Sequence, residues 1–392
     1  PTQRFVDRFA TVYTPAVFAL ALAVALGGPL LLGWPWLPAA YKALVLLVIA
    51  CPCALVISTP VTVVSGLAAA ARRGILIKGG AYLEQARLLK TIALDKTGTL
   101  TRGEPVLVDG TVLHGADAGH AARIARGLAA RSDHPVSKAI AAGLTAEAPP
   151  VDDFGAQPGR GVHGVIDGQR HVLGNHRWIE ERGQCSPAIE AHLHAHEAQG
   201  RTTTLLAGDQ GVLALYAVAD TVKDSSRQAV AELKALGVRT VMLTGDNPAT
   251  ARTIATQVGI DQVQAELLPE DKQRAVEQLA ADGPVGMVGD GVNDAPSLAA
   301  AAIGFSMGGA GTDTAKEAAD VLIMNDDLRK LPETIRLSRR THAVLVQNIA
   351  LALGIKAVFL LLALLDGASM WMAVFADMGA SLLVVFNGLR LL

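Results

Sequence analysis

Apolar residues gather toward the two ends of the chain, and the middle alternates short apolar runs with mixed polar stretches. The first long run is Val12 to Leu32 and the second extends from about Ala39 to Ala71. Two more follow the mixed section, Ala343 to Leu365 and Met370 to Leu389. Each is about twenty residues or longer, enough to cross a hydrocarbon core of roughly 30 Å as helix. Arg4 and Arg8 precede the first run; Arg72, Arg73 and Lys78 follow the second. Arg336, Arg339 and Arg340 precede the third and Arg390 ends the fourth, while the connections Gly33 to Pro38 and Asp366 to Ser369 carry no Lys or Arg. This asymmetry predicts an integral membrane protein with both ends and the large middle section on the cytoplasmic side.

The middle section reads as α/β. Thr91 to Leu94, Arg239 to Leu243 and Val285 to Val288 are apolar strands ending at Asp95, Thr244 and Asp290, and helix-like stretches such as Ser225 to Leu236 and Ala249 to Val258 alternate with them. That alternation predicts a parallel sheet with ligands at the carboxyl ends of its strands. The roughly 150 residues between the first two strands exceed any single crossover and predict an inserted domain. The expected division is 1–78, a transmembrane helix pair; 79–101 and 220–337, the two parts of one domain; 102–219, the insert; and 338–392, a second helix pair.

Composition supports the membrane reading. Of 392 residues, 51% are hydrophobic, and the mean hydropathy of +0.36 is high for a soluble chain. The formal net charge is −2 and no basic stripe with interleaved aromatics occurs, so nucleic acid is not an expected partner. The three cysteines are too few for a disulfide framework. The chain begins with Pro1 rather than Met and shows no signal peptide, which reads as a truncation.

Candidate chemistry sits at the three strand ends. Asp95, in Asp95-Lys-Thr-Gly-Thr-Leu-Thr101, can attack the γ-phosphate of ATP and become an aspartyl phosphate. Lys272 can offset phosphate charge, and Thr244, Gly245 and Asp246 offer a hydroxyl and backbone amides. Asp290 suits Mg²⁺, which prefers oxygen ligands. The second candidate is Cys51-Pro-Cys53 within the second run. Pro52 removes a backbone donor and frees carbonyls, so the helix must open there. Two thiolates beside the break suit Cu(I), Zn²⁺ and heavier relatives. Lys356 and Asp377 lie deep in the third and fourth runs, where an unpaired charge is costly. They are expected to share a cavity, with Asp377 adding an oxygen ligand to the thiolates and Lys356 acting as its counter-ion. A purely structural ion pair is the alternative. His192 and His196 could share a helix face, but the polar run around them reads as a solvated helix. Cys185 reads as a packed or surface thiol with no role.

Asp95-Lys-Thr-Gly-Thr, Thr244-Gly-Asp and Gly289-Asp-Gly-Val-Asn-Asp-Ala-Pro296 resemble, in order and spacing, the signature motifs of P-type ATPases. The resemblance covers essentially the whole chain and implies a haloacid dehalogenase-like phosphorylation domain. It implies Asp95 as the phosphorylated nucleophile within its motif with Lys96, and Asp290 and the Thr97 carbonyl as Mg²⁺ ligands supported by Asn293 and Asp294. Phosphatases of this fold usually carry a second Asp two positions after the nucleophile. Thr97 stands there and activates water poorly, so the intermediate should persist. Ser132-Asp-His-Pro135 and Gly159-Arg-Gly-Val-His-Gly164 resemble the nucleotide-binding domain of the heavy-metal subfamily. That implies His134, Gly159 and Gly161 at the adenine site, with Gly174 and Asn175 nearby. Ala129 replaces the Glu usual five residues before the His. Cys-Pro-Cys is a hallmark of the same subfamily. Asn348 with Lys356, and Asp377 with Gly379 and Asn387, resemble its zinc, cadmium and lead branch; the residue pairs of the copper branch are absent.

The expected protein is therefore a multidomain membrane protein with four transmembrane α-helices, a cytoplasmic α/β phosphorylation domain and an inserted α+β nucleotide-binding domain. It uses ATP and Mg²⁺ to export Zn²⁺, Cd²⁺ or Pb²⁺, and the expected location is the bacterial plasma (inner) membrane. A copper-branch ATPase and a membrane-tethered phosphatase or nucleotide-binding regulator are the competing readings. The Thr-Gly-Glu loop of the family's actuator domain does not occur, so the actuator and earlier helices are expected in a longer chain; alone, this one would bind nucleotide without normal turnover.

Overall fold

The computed structural model describes residues 2–113, 115–309, 311–364 and 369–392. The connection read from Asp366 to Ser369 therefore lies, apart from Ser369, outside the described residues. The chain divides into two compact units, Pro1–Leu88 with Pro332–Leu392, and Leu89–Leu331. Residues 79–88 and 332–337 thus group with the long helices rather than with the sheet. Leu83 and Ala86 are fully buried, and Ser338 bonds the Leu83 carbonyl and accepts from the Arg87 amide.

The first unit contains four helical segments long and apolar enough to cross a membrane: Thr11–Leu32, Trp36–Arg72, Lys330–Leu362 and Met370–Leu389. Their outward faces carry apolar side chains such as Leu31, Trp371 and Phe375, each at least 80% exposed, as surfaces turned to lipid would. Small residues line the contacts between them. Ala54, Ala352 and Ala380 pack with Val384, and a Cβ on Gly388 would stand 2.9 Å from the Thr62 hydroxyl. Lipid tails give no hydrophobic drive for helix association, so close approach of backbones supplies it. The helix that carries the third apolar run begins earlier than that run, at Lys330. Its first turns bear Glu333, Arg336 and Arg339, so hydropathy marks only the later part of the same helix.

The second unit holds two sheets. Six of its strands run parallel in the order Val321–Ile323, Ile303–Met307, Val285–Gly289, Thr91–Asp95, Arg239–Leu243, Gln262–Gln264. The sequence marks three of these; the other three, Ile303–Met307 and the three-residue Gln262–Gln264 and Val321–Ile323, it does not. Central Thr91–Asp95 is buried throughout. Leu94 pairs with Val288 and Asp95 with Leu243, so the register alone brings Asp95, Thr244 and Asp290 to one edge.

The inserted segment folds as a six-stranded antiparallel sheet, ordered Val106–Val112, Gly211–Ala219, Thr202–Gly208, Gln169–Gly174, Gly161–Ile166, Asp152–Gln157. Strand alternation sorts its two faces. Leu206, Ala214 and Tyr216 pack with Ile124, Leu128 and Ile140 of the helices Ala118–Ala129 and Pro135–Gly143. Leu205, Leu215 and Ala217 pack with Ile179, Ile189 and Leu193 of His176–Glu181 and Pro187–Glu197. Gly161–Ile166 and Gln169–Gly174 are joined by a hairpin at Asp167-Gly168, where both residues have positive φ, 51° and 77°, as a tight two-residue hairpin requires.

Candidate phosphorylation, nucleotide and membrane metal sites

Asp95 ends its strand with its carboxylate buried. Lys272, from the helix Pro269–Ala280, donates to Asp95 and, at 2.8 Å, to Asp294. Carboxylate oxygens of Asp95, Asp290 and Asp294 lie within 4.8 Å of one another. One ammonium bridging two of these three carboxylates leaves excess negative charge. Burial and then neighbouring Asp294 push the Asp95 carboxyl up to about 6. Burial and then Asp95 and Asp294 push Asp290 up to about 7. Burial pulls the Lys272 ammonium down, but Asp95 and Asp294 outweigh it and hold it above the usual lysine range. Such a cluster favours an added cation, and its all-oxygen donor set fits Mg²⁺.

The remaining motif residues surround it. Lys96 pairs with Asp246 at 2.6 Å. Thr244 is buried at its strand end, and its hydroxyl accepts from the Asp246 amide. Gly245 follows, and a Cβ there would come within 3.3 Å of the Leu267 carbonyl. Thr97 and Asn293 are exposed. Gly98 has φ +70°, and a Cβ there would stand 1.5 Å from Asp290 Oδ2. We expect Gly98→Ala to cost about 1–2 kcal/mol in backbone strain alone and to displace Asp290. A thermal midpoint equal to that of the parent protein would contradict this.

Two residues given no role in the sequence reading also reach this turn. Lys223 donates to the Gly98 carbonyl at 2.6 Å. Asp220 accepts from the Thr101 hydroxyl and, at 3.1 Å, from the Gly103 amide. With Arg102 N to Thr221 O at 2.9 Å, these contacts tie together the strands entering and leaving the insert. The sequence signal was faint: a Lys and an Asp at the return from a long insertion.

Within the insert, a cavity of about 290 Å³ is lined by His134, Gly159, Gly161, Gly174 and Asn175, among others. His134 caps the helix Pro135–Gly143, its Nδ1 accepting from Val136 N. Burial lowers its pKa, so the imidazole is neutral at physiological pH. The glycines differ in kind. A Cβ at Gly161 would lie 2.3 Å from the Leu173 carbonyl, whereas Gly159 has open space and φ +70°. Asn175 donates to the Gly159 carbonyl at 2.9 Å and accepts from Trp178 N at 3.0 Å. Ala129 is fully buried, packed in the apolar cluster with Leu128 and Ile140. His192 and His194 are exposed, as expected of a solvated helix. His196 departs from that expectation. It is buried against Asp109 at 3.2 Å, a strand residue too distant in sequence to suggest the pair.

In the first unit the second span breaks where Pro52 stands. One helix ends at Ala50 and the next begins at Cys53. Lys356 Nζ donates to the Ile49 carbonyl at 3.2 Å, to the Cys51 carbonyl, and to Asp377 Oδ1 at 3.0 Å. The charged pair therefore meets the carbonyls that the break frees. The structure links Cys51 and Cys53 as a disulfide; metal ligation requires the reduced thiolates. Eight residues before Lys356 on the same helix, fully buried Asn348 bonds Thr62, the Val384 carbonyl and Asn387.

Comparison with known proteins places this geometry in a family. The haloacid dehalogenase-like hydrolase family matches residues 89–302. A probable cadmium-transporting ATPase of Alkalihalophilus pseudofirmus is 44% identical over 100% of this chain and 56% of its own length. A zinc/cadmium/lead-transporting P-type ATPase of Escherichia coli K12 is 44% identical over 100% of this chain and 53% of its own. A crystal structure of a zinc-transporting PIB-type ATPase in its E2.Pi state aligns with TM-score 0.80 and 43% identity, covering 98% of this chain and 63% of that one. The chain belongs to the haloacid dehalogenase-like hydrolases and, within them, to the P-type ATPases. It spans about half the length of the curated relatives it matches.

Proposed function

We propose that the chain supplies the phosphorylation, nucleotide-binding and ion-binding parts of an ATP-driven pump that exports Zn²⁺, Cd²⁺ or Pb²⁺ across a bacterial plasma membrane. The observation that carries this reading is Lys356 bridging Asp377 and the carbonyls beside Cys51-Pro-Cys53. Two thiolates with a carboxylate suit Zn²⁺ and its heavier relatives better than Cu(I). The related ATPases named for cadmium, zinc and lead point the same way.

In this reading residues 89–101 and 220–331 form the phosphorylation domain, 102–219 the nucleotide domain, and 1–88 with 332–392 the unit that carries the spans. The adenine enters the cavity beside His134, where the open space at Gly159 admits it. Asp95 attacks the γ-phosphorus, the bond to the bridging oxygen breaks, and ADP leaves. Lys272 stabilises the transferring oxygens, joined by the Thr244 hydroxyl and the Gly245 and Asp246 amides. Asp95, Asp290, Asp294 and the Thr97 carbonyl would hold Mg²⁺, which neutralises phosphate charge when bound. No carboxylate stands at Thr97 to activate water, so the aspartyl phosphate persists long enough to couple to the membrane site.

The test is phosphoenzyme formation in the intact protein. We expect labelling from ATP that rises with Zn²⁺ and not with Cu(I). Stimulation by Cu(I) would instead indicate the copper branch, and metal-independent phosphate release a tethered phosphatase.

The carboxylate cluster makes a second prediction. Asp95 and Asp290 titrate near 6 and 7 in the folded protein rather than in the ordinary carboxylate range. Their contribution to stability is therefore full at low pH and lost as pH rises through 6 to 7. Added Mg²⁺ should raise the thermal midpoint more at pH 8 than at pH 5. Equal shifts at both would remove the cluster as the Mg²⁺ site.

A further inference from the structure

On the nucleotide domain, away from the cavity interior, three unlike metal-ligating groups converge. His176 opens the short helix His176–Glu181, Cys185 lies in the loop that follows, and Glu190 is in the first turn of Pro187–Glu197. One ligand atom from each lies within 4.8 Å of the other two. Cys185 Sγ stands 3.3 Å from His176 Nε2. Tetrahedral zinc with its usual sulfur and nitrogen bond lengths separates these two atoms by about 3.6 Å, so little movement is needed. His176 and Cys185 are half-buried. Burial, and then Glu190 and Glu180, hold the thiol proton above the ordinary cysteine range; the same negative surroundings attract a cation.

The cluster is tied to the cavity wall. Asn175, directly before His176, bonds the Gly159 carbonyl and caps the helix through Trp178 N. Trp178 packs with Cys185 on the same apolar cluster. It also meets the His163 ring edge-on at 6.3 Å. Fixing His176 to Cys185 would therefore fix the turn that holds Asn175 and Gly159.

We propose that His176, Cys185 and Glu190 form a regulatory site for one borderline-soft divalent cation of the Zn²⁺ class, and that its occupancy tightens binding in the adjacent nucleotide cavity. On binding, a metal–sulfur bond forms, the thiol S–H bond breaks and its proton leaves to solvent, while water takes the open fourth position. The metal assignment needs no transport activity; the coupling rests on the cavity being the nucleotide site.

The experiment uses the 392-residue chain in detergent, with Cys51→Ser and Cys53→Ser so that Cys185 is the only thiol. Cobalt(II) titration should produce a thiolate-to-cobalt absorption saturating at one equivalent, with one proton released and displacement by Zn²⁺. The band should vanish in Cys185→Ser and weaken in His176→Ala, both checked for retained adenosine binding so that misfolding is not the cause. Cobalt at the Asp95 cluster has no sulfur ligand and cannot give this band. Its absence, or its survival in Cys185→Ser, overturns the site. For the coupling, adenosine is the probe because it lacks phosphates that chelate metal. Zn²⁺ should tighten its binding by about five-fold or more, and Cys185→Ser should abolish the effect. A cobalt band without any change in adenosine affinity overturns the coupling and leaves the metal site standing. Loss of adenosine binding in the parent protein, by contrast, would count against the nucleotide assignment itself.

Discussion

Asp95→Asn is expected to reduce acid-stable labelling from γ-labelled ATP to background in the intact protein, whatever the metal supplied. The substitution keeps the shape of the side chain and removes the attacking oxygen anion. It also removes one of three crowded carboxylates whose charge is disfavoured by burial. Lys272 keeps Asp294 as a partner at 2.8 Å. The thermal midpoint at neutral pH should therefore not fall, which separates lost chemistry from lost fold. Label that persists in this variant would place the phosphorylated residue elsewhere.

The second large effect is at Asp377. Asp377→Ala removes a carboxylate from the proposed ion site and deprives Lys356 of its charged partner, leaving it, among the described residues, the Ile49 and Cys51 carbonyls. Outer partners of metal ligands already account for 10–100-fold in affinity, so losing a ligand should raise the zinc needed for phosphorylation by about 100-fold or more. Adenosine binding should be unchanged, since the cavity belongs to the separate nucleotide domain. Unaltered zinc stimulation would remove the reason for choosing zinc over copper.

Much of this arrangement was readable because short patterns carry direct physical consequences. An apolar strand ending in Asp95 places that carboxylate at a sheet edge, and parallel register brings Thr244 and Asp290 to it. Proline at position 52 breaks a helix wherever the helix lies. The pairing of Lys356 with Asp377 followed from the cost of isolated charge in lipid. What escaped depends on contacts between distant segments. Lys223 and Asp220 meet the Gly98 turn only because the insert returns its chain to its point of departure. His196 is buried by an Asp109 that no local pattern connects to it. His176 and Cys185 come from a helix and a loop with no ligand-like spacing between them. The strands Gln262–Gln264 and Val321–Ile323 were too short to carry a period.

The meeting of Lys356 with Asp377 has an electrical consequence. With Cys51 and Cys53 reduced and both thiols carrying their protons, the proposed ion site would sum to zero when empty: one ammonium against one carboxylate. Loaded with a divalent ion on two thiolates, it again sums to zero, because two protons have left. The interior of the bilayer thus never confronts a naked net charge in either condition. In the proposed pump, metal loading at this site would be an exchange against protons, so the acidity on each side of the membrane would weigh directly on how readily the ion is taken up and let go.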